Sequence, residues 1–400
     1  MRHHFLRLAL VLGLLSAIGP FAIDMYLPSL PAIGLALHAD MHAVQLSLTV
    51  FFLSFALSQV LYGPASDMFG RKPPLYVGIA MFVAGSIGCA LAPDIVTLLV
   101  FRFVQGLGGG APNVITRAVV RDLHTGAEAT RLMSLLMLVF SVSPILAPLA
   151  GSFIVEAGGW AMVFWAVAVI GVAGLALTAF ALEETRPPAE RTGSDLASTW
   201  RAFVLLARDP HFMGMTGVGS LGVAAFFVYL SNSSFVLIGQ YGLTPRQYGL
   251  AFAVNAASFI GVSQLTGRLT ARFGLPRVVR VSVAGFALSM VAGAALHLAG
   301  ADGLATMIAL LMIGFGFLGL VIPTTSVMAL DHHGDIAGAA SALMGTIQMV
   351  AGALVIALMG LVTGGGSRPM LAGIAVVALL TWLLAWLCLR GELRGVGDAA

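Results

Sequence analysis

LALVLGLLSAIGPFAIDMYLPSL, residues 8–30, carries one charged residue, Asp24, in an otherwise uncharged and mostly apolar stretch. A helix needs about 20 predominantly apolar residues to cross a bilayer, and this run is long enough. Arg2 and Arg7 precede it, as the basic residues of a secretory signal would. Asp24 falls late in the run, however, and eleven more apolar runs follow. The stretch is therefore read as a first membrane span that keeps its charge.

Outward from this segment the pattern repeats. The intervals free of Asp, Glu, Lys and Arg are 8–23, 41–66, 73–93, 103–116, 132–155, 157–182, 212–245, 247–267, 281–301, 303–330, 336–367 and 369–389. Arg102 interrupts the fourth span, IVTLLVFRFVQGLGGGAPNVI (95–115), as Asp24 interrupts the first. Strands of a transmembrane barrel would alternate in segments of about ten residues, half the length of these continuous runs. The fold class expected is an all-α membrane protein of twelve transmembrane helices in two six-helix halves. Composition agrees: of 400 residues 59% are hydrophobic and 9% charged, against roughly 25% charged in soluble domains. That excludes cytosolic enzymes, nucleic-acid binders and secreted domains as first readings. Cys89 and Cys388 lie in apolar runs, which speaks against a disulfide framework or a cysteine zinc site.

With the N-terminus inside, the inner segments hold 17 of the 20 Lys and Arg residues. Arg246 and Arg368 fall outside and Arg102 falls within a span. The positive-inside rule then places both termini in the cytoplasm and the chain in the cytoplasmic (inner) membrane. The longest polar stretch, EETRPPAERTGSDLASTWRAFVLLARDP (183–210), reads as a cytoplasmic linker with a short amphipathic helix near Trp200 to Leu206. It divides an N-terminal half, 1–182, from a C-terminal half, 211–400. The halves echo one another: GPASDMFGRKP (63–73) and GRLTARFGLPR (267–277) repeat Gly63, Phe69 and Gly70 as Gly267, Phe273 and Gly274. Paired six-helix repeats with a site between them are a transporter architecture.

Asp24 and Arg102 carry the chemistry. Each lies about six or seven residues from the outer end of its span, roughly 10 Å deep at 1.5 Å per residue, so they can share a layer. A charge at depth costs about 2.5–3.5 kcal/mol on insertion scales, so such residues face cavities and serve pathways. The plain alternative is a fixed Asp–Arg pair that docks two helices. Asp67, Arg71 and Lys72, with Gly63 and Gly70, form a second cluster on the inner turn after span two. Asp67 can cap a helix end there, and Arg71 and Lys72 can anchor at the interface. Gln105, Asn113, Asn232, Asn255 and Gln348, with Phe226 and Tyr229, are polar or aromatic candidates for substrate contact. Small residues at four-residue spacing, or at seven in the last case, mark helix interfaces: Ser54 and Ser58 in span two; Ser143, Ala147 and Gly151 in span five; Gly249, Ala253, Ala257 and Gly261 in span eight; Gly338, Gly345 and Gly352 in span eleven.

Other chemistries drop out. His332 and His333 with Asp331 and Asp335 could hold a metal, but no metal is assigned. The single lysine, Lys72, stands between Arg71 and Pro73, so there is no Walker A motif and no nucleotide fuel. No cofactor and no enzyme activity are expected. What remains is a secondary transporter.

At this point the sequence resembles the major facilitator superfamily along essentially its whole length. GPASDMFGRK resembles that family's loop after span two, and RFVQGLGGG, with Arg102, Gln105 and Gly106, its span-four motif. SPILAPLAGS (143–152), with Ser143, Pro144, Ala147, Pro148 and Gly151, resembles the span-five motif of drug exporters, with Ser143 and Ala147 standing where glycines are usual. Asp24, Tyr26, Leu27 and Pro28 match the first span of the Bcr/CflA group of drug/proton antiporters. The resemblance implies proton-driven export of small-molecule drugs by alternating access. Asp24 and Arg102 would couple protons, and Asp67, Arg71 and Lys72 would gate the inner side. Tyr26, Gln105, Asn113, Phe226, Tyr229 and Asn232 would face the substrate. Spans five and eight, and two and eleven, would meet across the halves. The expected partners are substrate, protons and the bilayer, with no nucleic acid or nucleotide, and the chain is expected to act as a monomer. Two alternatives stay open: an importer or facilitator of a small nutrient or metabolite, and a non-transporting receptor or scaffold.

Overall fold

A computed structural model describes residues 2–124, 126–188, 191, 196–300, 303–362 and 366–390, and among them there is no strand. The helices are α1 Arg2–Asp24, α2 Leu30–Ala36, α3 Met41–Phe69, α4 Lys72–Ala90, α5 Ile95–Leu123, α6 Gly126–Gly158, α7 Trp160–Phe180 and α8 Leu196–Ala207. They continue with α9 Pro210–Ser234, α10 Pro245–Ser263, α11 Thr266–Phe273, α12 Leu275–Leu298, α13 Leu304–Leu330, α14 Ala337–Val362 and α15 Ser367–Leu389. Among the described residues eleven candidate spans are long and apolar enough to cross a membrane, and α6 adds the apolar stretch Val142–Gly158. These correspond to the twelve expected spans. The amphipathic linker helix is α8: it buries Phe203 and Leu206 and exposes Trp200 and Leu205.

Carboxylates set several helix starts. Asp40 accepts from the amide of Ala43 at 2.7 Å, Asp94 from Thr97 at 2.8 Å, and Asp209 from His211 at 2.8 Å. Each satisfies an amide that the first turn leaves without an intrahelical partner. Glycine ends others. Gly70 closes α3 at φ 92° and Gly274 closes α11 at φ 77°, a left-handed region that favours glycine. The two positions are the ones the loop repeat aligns, so the repeat reflects a shared backbone device.

The chain forms two compact units, one of Met1–Trp200 with Leu243–Leu250, the other of Arg201–Gly242 with Ala251–Ala400. Within the first, α5 packs on α3 and α4, α4 on α7, and α1 on α5 and α6. Within the second, α12 packs on α13 and α15, and α9 on α13, α14 and α15. Glycines permit the closest approaches, since small residues are what lets helices meet in lipid. A methyl at Gly108 would overlap the carbonyl oxygen of Gly78 and the amide nitrogen of Phe82, both backbone atoms that cannot swing aside. Gly108→Ala is therefore expected to lower stability by about 1–3 kcal/mol despite alanine's better helix propensity. Thermal unfolding of the purified variant checks this, and an unchanged midpoint would show that α4 and α5 can separate without penalty.

Candidate functional site

α1 ends at Asp24, where the chain turns through Tyr26 and a 3-10 turn, Leu27–Ser29, opened by Pro28. Asp24 is buried, and Arg102 on α5 is 0% exposed. The guanidinium of Arg102 lies 4.4 Å from the ring centre of Tyr26 and 4.3 Å from that of Phe51. Its Nη1 donates to Gln105 Oε1 at 2.6 Å and reaches within 3.5 Å of the Ala22 carbonyl. Gln105 in turn donates from Nε2 to Ser86 Oγ at 2.8 Å, and the Tyr26 hydroxyl is held by Ser47 Oγ at 2.7 Å.

The contact with Ala22, two residues before Asp24, puts both charges in one layer. The expected alternative of a fixed ion pair is not what forms: among the described residues the Asp24 carboxylate makes no ion pair or hydrogen bond. Arg102 is instead enclosed by aromatic faces, each worth up to about 2 kcal/mol when desolvated. Its Nε and Nη2 are buried without a hydrogen-bond partner among the described residues. Unmet buried donors cost about 1–3 kcal/mol each, so this guanidinium is a charge with donors to spare.

The loop between α3 and α4 is built more densely than its sequence suggested. The side chain of Arg71, 3% exposed, grips Asp122 at the end of α5 with two parallel bonds of 2.7 and 2.9 Å. Its Nη1 donates to Asp67 and Ser66, each at 2.7 Å. Asp67 also receives Arg186, from Nη1 at 3.5 Å and through its own carbonyl at 3.0 Å. The start of α4 is capped from a distance: Glu184 accepts from the amides of Arg71 at 2.8 Å and Lys72 at 3.0 Å. Lys72 does not reach outward as an anchor, because its Nζ donates to the carbonyl of Leu182 at 2.8 Å. Asp122, Glu184 and Arg186 were not among the expected gate residues. Their signal was present in the sequence as charges at the two ends that the short α3–α4 turn must face.

Burial alone would raise the pKa of Glu184. The amide hydrogen bonds from Arg71, Lys72 and Arg186 and the charge of Arg191 outweigh it and hold the carboxyl below its ordinary value. A depressed folded pKa means that the stabilisation is fully present above the unfolded value and is lost as pH falls through the folded one. Glu184→Gln is therefore expected to flatten the acid limb of stability below about pH 4.5, as read from unfolding midpoints between pH 3 and 6. An unchanged acid limb would remove Glu184 from the capping role.

In the second unit Tyr229 is stacked on Phe252 with ring centres 5.5 Å apart and meets Phe315 at 5.1 Å, and its hydroxyl accepts from Asn255 Nδ2 at 3.0 Å. Phe226 packs edge-on to Phe315 at 5.6 Å. Asn232 donates to its own helix at the carbonyl of Val228, 2.9 Å away. Tyr26, Gln105, Tyr229 and Asn232 are thus buried in side-chain networks, while Asn113 sits on α5 beside Arg117. The small-residue stripes lie at close helix contacts. Ser54 and Ser58 face Gly106 and Gly110 of α5, and Gly151 meets the backbone of Met25 beside Asp24. Spans five and eight meet as expected at the first turn of α10, inside the first unit: Gly249 of the span-eight stripe lies against Ser152 and Leu149 of α6, and Glu156 pairs with Arg246. His333 pairs with Asp209 at 2.7 Å. Among the described residues no group of side chains could hold a metal, and the Asp335 side chain lies outside them.

The sequence model of the Major Facilitator Superfamily matches residues 12–356. The chain belongs to that superfamily. As a member it is a membrane transporter, not an enzyme. A protein named Uncharacterized MFS-type transporter YdgK, from Bacillus subtilis, is 35% identical over 360 residues, 89% of each chain. Multidrug resistance protein MdtL of Escherichia coli is 30% identical over 370 residues, 91% of each chain, and Bicyclomycin resistance protein homolog of Haemophilus influenzae is 29% identical over 391 residues, 97% of each. Among solved structures, a D-xylose-proton symporter superposes with a TM-score of 0.74 at 15% identity, covering 95% of this chain and 97% of its own. At that identity the likeness establishes the superfamily fold alone.

Proposed function

We propose that this superfamily member exports small-molecule drugs or related compounds across the cytoplasmic membrane in exchange for protons, by alternating access. One observation carries the reading: Asp24 is buried in the same layer as a guanidinium, yet makes no ion pair with it. A carboxylate so placed can take a proton or a substrate charge, because neither has to displace a salt bridge first. Arg102, with two spare donors, stabilises the deprotonated carboxylate when the helices bring them together, and the proton leaves to the cytoplasmic side. The names of the relatives at 29–30% identity, a multidrug and a bicyclomycin resistance protein, support a drug as the cargo. Asp67, Arg71, Asp122 and Glu184 act as the inner latch, since their bonds must break for α4 to move from α5. Both termini are assigned to the cytoplasm on the basic residues, and the working unit is a single chain.

The test uses everted vesicles with an acid-inside gradient followed by a pH-sensitive dye. A panel of cationic, neutral and zwitterionic antibiotics is expected to contain compounds that collapse the gradient only in vesicles holding the protein. Substrate uptake into right-side-out vesicles together with protons, and no exchange in everted ones, would replace export by import.

A further inference from the structure

Among the described residues of the first unit, α5 carries two guanidiniums along its length, Arg102 and Arg117, and the carboxylate of Asp24 lies at the end of α1 in the Arg102 layer. Arg117 lies fifteen residues after Arg102 on α5, about 22 Å along the helix at 1.5 Å per residue. Asp24, in the Arg102 layer, is therefore too distant to neutralise it. No carboxylate among the described residues forms an ion pair with Arg117. Its one hydrogen bond among them runs from Nη2 to Asn113 Oδ1, at 3.2 Å.

Arg117 is six residues from the C-terminal end of α5 and is half-buried, its side chain laid over the preceding turn, as helical side chains are, where it meets Asn113. The hydrogen bond also fixes the chemistry of the pair. Asn113 is buried and spends its amide oxygen on Arg117, so what it can offer a ligand is its N–H2 group. Guanidinium and amide together present several N–H donors and one positive charge, and the one acceptor oxygen of the pair, Asn113 Oδ1, is turned to Arg117. That set matches an oxyanion, and an arginine fork matches a planar carboxylate best.

We infer that Arg117 and Asn113 form an oxyanion subsite that receives the carboxylate of a transported substrate. The inference rests on the transport reading above and deepens it: anionic and zwitterionic compounds belong to the cargo, held by this pair while Asp24 handles the proton. A lipid phosphate has the same donor requirement, and the test separates the two sources.

The purified full chain is placed in nanodiscs of phosphatidylcholine, with and without phosphatidylglycerol, and binding of 1-naphthoate and of the near-isosteric 1-naphthamide is read from tryptophan quenching. The carboxylate is expected to bind about tenfold or more tightly than the amide in the native protein. That preference disappears in Arg117→Gln, persists in part in Arg117→Lys, and is lost in Asn113→Asp, which places a like charge beside the ligand. Equal binding of the two probes in the native protein, or a preference that survives Arg117→Gln, overturns the inference. So does loss of naphthoate binding whenever phosphatidylglycerol is present, which assigns the pair to lipid. Export is scored separately in vesicles of the native protein: failure there removes the efflux reading and leaves the binding result standing.

Discussion

Asp24→Asn is expected to leave the protein folded in the membrane and to abolish the response of transport to an imposed proton gradient. The substitution is nearly isosteric and removes only the ability to take and release a proton. Asp24 makes no ion pair or hydrogen bond with a described residue, so the change deletes no contact on which packing depends. It also removes a buried charge, whose cost at depth is about 2.5–3.5 kcal/mol on insertion scales, so thermal stability is expected to hold or to rise. Substrate-induced gradient collapse in everted vesicles should fall by at least about tenfold, while expression and the melting midpoint stay at native levels. A variant that keeps full proton-coupled transport would take Asp24 out of the mechanism.

Arg71→Ala is expected to have the largest effect on stability. Its guanidinium makes two bonds to Asp122, one to Asp67 and one to Ser66, and its side chain is 3% exposed. Removing one partner of a buried pair leaves the other charge uncompensated, at a cost of about 3–5 kcal/mol. Here two carboxylates are left facing each other across the loop, and only Arg186 remains bound to Asp67. Arg71→Lys should recover part of the loss, since a lysine cannot make the parallel bonds to Asp122. Unfolding of the purified variants orders them native, Lys, Ala. An alanine variant within about 0.5 kcal/mol of native would show that the loop is held by its backbone alone.

The architecture was legible because hydrocarbon imposes a length: runs of uncharged residues about twenty long have one use, and the positions of arginine order them. Asp24 and Arg102 were legible for the converse reason, as charges where charges are expensive. What could not be read was how they are satisfied. The depth of Asp24 and Arg102 placed them in one layer and left a fixed salt bridge open as the plain alternative, whereas the rings of Tyr26 and Phe51 enclose the guanidinium, and aromatic residues are too common in spans for that role to stand out. The inner latch was half legible. Asp67 and Arg71 lie four residues apart and announce a local pair, but Asp122 and Glu184 come from 51 and 113 residues away in the chain. The small-residue stripes marked interfaces without naming every neighbour, because spacing records that a face is close-packed and carries no label for what packs on it. Gly249 meets α6 as the resemblance implied, whereas Gly151 meets the backbone of Met25.

In the proposed cycle one carboxylate, Asp24, exchanges a proton for substrate. This exchange is tested most directly by adding a transported drug to the purified protein in weakly buffered solution and measuring the protons released. Binding linked to deprotonation of one site releases up to about one proton per protein, the yield depending on pH. Such release is expected from the native protein, and none from Asp24→Asn that still binds the drug. Undiminished release from that variant, or drug binding by the native protein with no proton released at any pH between 5 and 8, would contradict the exchange.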